Sequence, residues 1–338
     1  MTEERRHIEQ WDRYWSYGNI HSFSQVSEGN YRGAIADFWR TRCERLPGSG
    51  RFLDVATGNG AVALLVLETG DRLAGGLEVH GVDLADIAPG SRVSDPELAK
   101  SLGRIRFRGR TAVESLPYDS ASFDMVGSQF GVEYSDLSRS IPEISRVLKP
   151  GGGFSAIMHH HDSVLLRSTR EELAQLDFVL DEVKLYLRAR NLLREMADGG
   201  RGTAGRGGKP SPKLEKKRRA LGDAMERIKK AANASNTPNM LLGPARYVHE
   251  IFGALDRMPA KDLLDWLDEA RSRVTANRQR LLDMIRAARK ESDLDDLRQW
   301  LTTAGFPDLE LAPFYQDDGA LLGWRLDAGK ETERTPGS

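Results

Sequence analysis

Phe52-Leu53-Asp54-Val55-Ala56-Thr57-Gly58-Asn59-Gly60 is a short apolar run that ends in an acidic residue and a turn with glycines two apart. Ala61-Val62-Ala63-Leu64-Leu65-Val66-Leu67 continues it as a buried helix. Glycine has no Cβ, so a strand–turn–helix step of this kind lets backbone N–H groups approach a ligand closely. A helix N-terminus favours negative charge, so a carboxylate or phosphate is expected there.

Outward from this turn, strands and helices alternate. Arg51–Val55 reads as the first strand and Leu77–Val82, ending at Asp83, as the second. Ile105–Arg108 is the third, Phe123–Ser128 the fourth and Phe154–Met158 the fifth. Helices are expected over Gly60–Glu68, Asp95–Leu102 and Leu137–Leu148. Lys149-Pro150-Gly151-Gly152 is expected to stop the last of these. The rhythm predicts a parallel α/β sheet with ligands at the carboxyl ends of its strands.

Two regions depart from the rhythm. Residues 1–50 read as a helical cap or lid rich in aromatics: Trp11, Tyr14, Trp15, Tyr17, Phe23, Tyr31, Phe38 and Trp39. Packing onto the sheet and lining of a pocket are both open for them. Residues 162–290 read as a helical insertion, too long for a loop. In it, Leu165–Met196 is expected to be one long amphipathic helix, followed by a glycine-rich stretch over Asp198–Gly208. Helices are then expected over Lys213–Ala232, Gly243–Leu255 and Ala260–Arg289. The weakly charged run Asn239–Tyr247 is expected to turn back and line a substrate chamber. After the insertion, Leu294–Ala304 reads as a helix with Ser292 as its cap. Leu309–Tyr315 and Ala320–Leu326 read as an antiparallel hairpin, and residues 329–338 as a tail.

Composition narrows the function classes. With 49 Lys and Arg against 50 Asp and Glu, the net charge of -1 offers no global attraction for nucleic acid or an anionic membrane. Cys43 is the only cysteine, so no disulfide or cysteine metal cluster forms within one chain, which fits a reducing, cytoplasmic setting. Met1–Arg6 is charged and not followed by an apolar core, unlike a secretory signal, and no apolar run is long enough to span a bilayer.

Several blocks together resemble the class I S-adenosylmethionine-dependent methyltransferases, and most of all the branch with the ubiquinone/menaquinone biosynthesis methyltransferases. Asp54–Gly60 is similar to the family's acidic–x–Gly–x–Gly–x–Gly turn, with Ala56 in place of the first glycine. Gly81-Val82-Asp83 resembles the acidic end of the second strand. Ser115-Leu116-Pro117-Tyr118 and Ser122-Phe123-Asp124-Met125-Val126 resemble the blocks around the fourth strand. Arg146–Gly152 resembles the helix-ending block, and Gly305-Phe306 with the hairpin resembles the end of the domain. The likeness covers about 51–161 and 291–328 and leaves out the insertion. It implies a Rossmann-like seven-stranded sheet of order 3-2-1-4-5-7-6 that binds S-adenosylmethionine.

The resemblance implies cofactor contacts at Asp54, Ala56, Thr57, Gly58, Asn59 and Gly60. It implies a carboxylate at Asp83 that accepts from both ribose hydroxyls, with Leu84 beside the adenine. The adenine block departs from the family pattern: Ala112 stands where Asp or Asn is common, leaving a backbone contact at Ala112 or Val113, or the Thr111 side chain, to substitute. Gln129 and Phe130, in the loop after the fourth strand, are further cofactor candidates.

Glu133 and Tyr134 are candidates to orient or deprotonate an acceptor. Glu133 also reads as a helix-start carboxylate and Tyr134 as packing. His159-His160-His161 follow the fifth strand. Neighbours on an extended segment alternate in direction, so the three do not share a metal, and no metal site is expected. Imidazole titrates near neutral pH, which makes His160 or His159 the better candidate for a general base.

The expected activity is methyl transfer to an O, N or C nucleophile of a small or medium-sized molecule. Two alternatives remain: an RNA or protein acceptor docked on the insertion, and a non-catalytic cofactor-binding scaffold. The insertion is also a candidate homodimer contact.

Overall fold

The protein is described here by a computed structural model that covers residues 3–21, 29–73, 76–93, 95–198 and 211–332. Phe23, most of the glycine-rich stretch and the end of the tail lie outside these residues. The chain divides into an α/β unit, up to Arg167 and again from Asp283, and a helical unit, Ser168–Leu282.

The α/β unit opens with helices α1 (Glu3–Ser16) and α2 (Gly33–Cys43). Strand β1 (Arg51–Val55), helix α3 (Ala61–Arg72) and strand β2 (Glu78–Val82) follow. The short helix α4 (Pro89–Arg92) and helix α5 (Pro96–Leu102) lead to β3 (Arg106–Arg108) and β4 (Phe123–Gln129). Helix α6 (Leu137–Val147) precedes β5 (Leu148–His159). After the helical unit come α12 (Leu294–Thr303), β6 (Asp308–Tyr315) and β7 (Leu321–Gly329). The seven strands lie in the order β3-β2-β1-β4-β5-β7-β6. The first five pair in parallel, and β7 runs antiparallel to both β5 and β6.

Alternation along β1 distributes the core between the two faces of the sheet. Phe52 packs with Trp39 of α2 and Leu64 of α3, whereas Leu53 and Val55 pack with Ile141 and Ile144 of α6 and Leu301 of α12. With both faces covered, the carboxyl ends of β1, β2, β4 and β5 are left as the place for a site.

Local geometry departs from the sequence expectation at several points. Lys149-Pro150-Gly151-Gly152 does not separate α6 from a later strand; it lies inside β5. The ladder pairs Phe123 with Leu148 and resumes at Met125 with Gly153, so the block forms a bulge. Pro150 needs no ladder donor there, and Gly151 supplies φ 75°. The single helix expected over Leu165–Met196 is broken. Helix α7 (Val164–Asp177) ends in a wide π turn at Phe178–Glu182, closed by Val183 N donating to Phe178 O at 2.9 Å. Lys184 follows at φ 50°, and α8 (Leu185–Asp198) begins. The extra residue in the turn places Val179, Val183, Leu185 and Tyr186 all in the helical core. Asp293, not Ser292, stands at the N-terminal cap position of α12, without a side-chain capping bond, after a tight turn over Glu291–Asp293.

The helical unit continues with α9 (Pro212–Asn233), α10 (Asn239–Gly253) and α11 (Ala260–Ala287), whose last turn crosses into the α/β unit. Asn239–Tyr247, expected to line a substrate chamber, is the start of α10. Leu241, Val248 and Ile251 of that helix are buried in the unit's own core with Leu221, Ile228, Leu263 and Leu267. Among the described residues, no helix is long and apolar enough to cross a membrane.

Candidate active site

The carboxyl edge of the sheet holds a small enclosed cavity of about 40 Å³. Asp54, Ala56 and Thr57 from the first turn line it, with Gln129 and Phe130 from the end of β4, Tyr134 and His159. Trp11, Trp15, His21 and Tyr31 close it from the N-terminal side.

At the first turn, Asp54 is buried. Its Oδ2 accepts from Thr57 Oγ1 at 2.6 Å and from Ala63 N at 3.2 Å, which ties the turn to the start of α3. Loss of water around the carboxyl pushes its pKa up to about 7, and the two donors only partly offset this. A buried carboxylate of this kind is poised for a cationic ligand group and opposes a pyrophosphate. Gly58 and Gly60 both take left-handed backbone (φ 54° and 86°). A Cβ added at Gly58 would lie 2.4 Å from the Trp15 ring, so α1 sits directly on the turn. Asn59 holds it there by donating from Nδ2 to Trp15 O at 3.0 Å and Asn19 O at 2.7 Å.

At the end of β2, Asp83 Oδ2 accepts from Gly58 N at 2.7 Å and Oδ1 from Ala85 N at 2.8 Å. The carboxylate thus joins the two strand ends. Burial pushes its pKa up to about 6 against these two bonds, with a small further push from Asp12. Leu84 beside it is exposed. Val113 turns its side chain into the sheet core with Leu116 and Ile144, and neither it nor Ala112 lines the cavity.

Gln129 Oε1 accepts from Trp39 Nε1 at 2.8 Å, and its Nε2 is buried without a protein partner. Phe130 takes φ 51° and Ala56 φ 54°, both unusual for residues with a side chain, and the Phe130 ring lies 4.6 Å from that of His159. Glu133 is on a tight turn (Val132–Tyr134). Its Oε1 accepts from both the backbone N (2.8 Å) and the ring Nδ1 (2.7 Å) of His159.

The three histidines point differently, as extended backbone requires. His159 lines the cavity. His160 stacks on Trp324 at 4.3 Å, accepts at Nδ1 from Asp162 N, and is not among the lining residues. Burial lowers the His160 pKa. His161 meets Asp162 at the surface. Among the described residues, no cluster of His, Cys, Asp and Glu could hold a metal ion.

Sequence reasoning did not find His21, Met284 or Arg289 at the site. Arg289 donates from Nη2 to Glu133 O at 3.0 Å, and its own backbone brackets His159 and His161 through N and O. It lies far down the chain with no motif around it. Only its position just ahead of the returning α/β rhythm hinted that it is brought back to the sheet.

Residues 53–156 match the methyltransferase domain family. The match lies within the α/β unit, whose strand order is that of the Rossmann-like methyltransferase fold. Over 119 residues the chain is 40% identical to a ubiquinone/menaquinone biosynthesis C-methyltransferase of Syntrophotalea carbinolica, covering 34% of this chain and 47% of that protein. It is 36% identical over 121 residues to a demethylmenaquinone methyltransferase of Thermus thermophilus, covering 34% and 50%. The chain thus spans about half the length of the curated relatives it matches. A solved geranyl diphosphate C-methyltransferase of Streptomyces coelicolor is similar at TM-score 0.35 and 18% identity, over 45% of this chain and 64% of that one.

Proposed function

We propose that the chain binds S-adenosylmethionine at the carboxyl edge of the sheet and transfers its methyl group to a small molecule. One observation carries the reading: Asp54 and Asp83 end neighbouring strands and bracket the Gly58 turn, Asp54 buried and Asp83 half-buried. The donor set fits the cofactor. Asp83 would take the ribose hydroxyls, since carboxylate oxygens accept more than one hydrogen bond. Asp54 would face the amino-acid end, and the buried Nε2 of Gln129 offers a donor close by. Ala112 and Val113 would contribute backbone only. When bound, the cofactor supplies a methyl group already activated on a sulfonium. The protein's part is to align an acceptor, exclude water and take up any proton released.

A nicotinamide dinucleotide fits less well, because its pyrophosphate would meet the Asp54 carboxylate at the turn. A nucleic-acid acceptor is also disfavoured by the helical unit. On α9, Lys213 and Lys217 are both bonded to Glu195 at 2.9 and 2.7 Å and so are not free to meet phosphates. Asp83→Ala should weaken S-adenosylhomocysteine binding roughly 30-fold or more, since it removes charge-assisted bonds and leaves two backbone donors unpaired. Calorimetry tests this, and unchanged affinity would remove the assignment.

A further inference from the structure

We infer that Glu133 and His159 form a proton-accepting pair in which Glu133 sets the tautomer of His159, and that the acceptor is an uncharged molecule methylated at a hydroxyl. The inference rests on the methyltransferase reading and adds the base and the acceptor class.

Both side chains are almost completely buried, at 2% and 1% exposure. Glu133 Oε1 already accepts from the His159 backbone N, so the 2.7 Å contact to the same oxygen reads as a donor on Nδ1, which leaves Nε2 of the neutral ring as an acceptor. That Nε2 is buried and has no protein partner. Glu133 is not among the cavity-lining residues but His159 is, so the pair reaches the cavity through the histidine. A buried acceptor without a partner costs stability unless a ligand donor meets it.

The ring has little freedom. Phe130 lies against it at 4.6 Å, Tyr134 stands edge-on at 5.9 Å, and the backbone N of His159 shares the Glu133 oxygen. Arg289 fixes the Glu133 backbone from the other side. His159 would therefore act as the catalytic residue and Glu133 as its positioning residue. In the transfer, the hydroxyl O–H bond breaks and its proton goes to Nε2. The oxygen forms the new O–C bond, the S–C bond breaks and its electron pair stays on sulfur.

The acceptor class follows from the lining. Among the described residues that line it, aromatic rings are the most numerous group, Asp54 is the only carboxylate, and no Lys or Arg is present to meet a phosphate or carboxylate on the acceptor.

The test uses the intact chain loaded with S-adenosylhomocysteine. Histidine-labelled protein read by nitrogen NMR should show His159 as the Nδ1–H tautomer. Glu133→Gln should shift it toward the Nε2–H tautomer, because a side-chain amide can now donate to Nδ1. His160→Gln should leave it unchanged. 4-Nitrophenol, a hydroxyl probe with a coloured anion, should bind as the anion, and His159→Gln and Glu133→Gln should both lose that colour. A His159 tautomer unaffected by Glu133→Gln would overturn the pair. Nitrophenol bound only in its neutral form, or not bound, would overturn the base and acceptor class. Failure of the unmodified chain to bind S-adenosylhomocysteine would instead count against the cofactor reading itself.

Discussion

Ala56 holds left-handed backbone, φ 54°, at the position where the family turn carries glycine. A Cβ in that region costs about 1–2 kcal/mol. Ala56→Gly is therefore expected to raise stability by about 1 kcal/mol, less the entropy that glycine adds to the unfolded chain, with cofactor affinity kept. A fall in the urea midpoint would contradict this. Asp54 gives a pH-dependent prediction. Its pKa is raised on folding to about 7, so the folded state holds its proton more tightly than the unfolded one. The associated stability is fully present below the unfolded carboxylate range, and is lost as pH rises through about 7. Asp54→Asn should thus be more stable than the parent chain at alkaline pH, by roughly 1–3 kcal/mol, and should lose this advantage in acid. Thermal melts of both proteins across that range check the sign. The same ionisations favour a ligand that brings hydroxyls and an ammonium group. S-adenosylhomocysteine affinity should accordingly rise with pH between about 5 and 8 as Asp83 and Asp54 lose their protons. The acidic pair was legible in the sequence because each residue ends an apolar strand next to a turn signal. The coupling of Glu133 to His159 was not: each was a candidate alone, and only the register of β5 against the turn after β4 joins them.

At the scale of elements, α1 is the part of the site whose placement the aromatic pattern left open. Its Trp15 ring covers Gly58, Asn59 holds its C-terminal end, and Asp12 accepts from Asp86 N at 2.6 Å and meets Arg110 at 2.7 Å. A cavity of 40 Å³ has room for about one water molecule, whereas small-molecule pockets run to several hundred Å³. A cofactor seated on the Gly58 turn would displace the Trp15 ring that covers it. Trp15→Ala should speed S-adenosylhomocysteine association in stopped flow, and an unchanged association rate would contradict that role. The β-strands were legible from their apolar runs and punctuation. The β5 bulge and the π turn after α7 were not, because Pro-Gly and a continuous apolar stripe carry the same local signal whether the chain breaks there or only kinks.

Over the whole molecule, the α/β unit has a set of buried residues on each face of its sheet, and the helical unit has a set of its own. Ile251 is fully buried in the helical core. Ile251→Ala should cost about 2–5 kcal/mol there and leave S-adenosylhomocysteine affinity within about twofold, as calorimetry on the folded variant would read. A large loss of affinity would mean that the helical core supports the site. The sequence marks the helical insertion by its change of periodicity and length but says little about its role, since a packed apolar face reads alike in a lid and in a scaffold. The central claim concerns the other unit: its acidic strand ends and glycine turn hold S-adenosylmethionine and not a dinucleotide. Calorimetry of the intact chain with S-adenosylhomocysteine and, separately, with NAD tests it most directly. Saturable one-to-one binding of the first and none of the second is the predicted result. NAD binding, or no binding of S-adenosylhomocysteine, would contradict it.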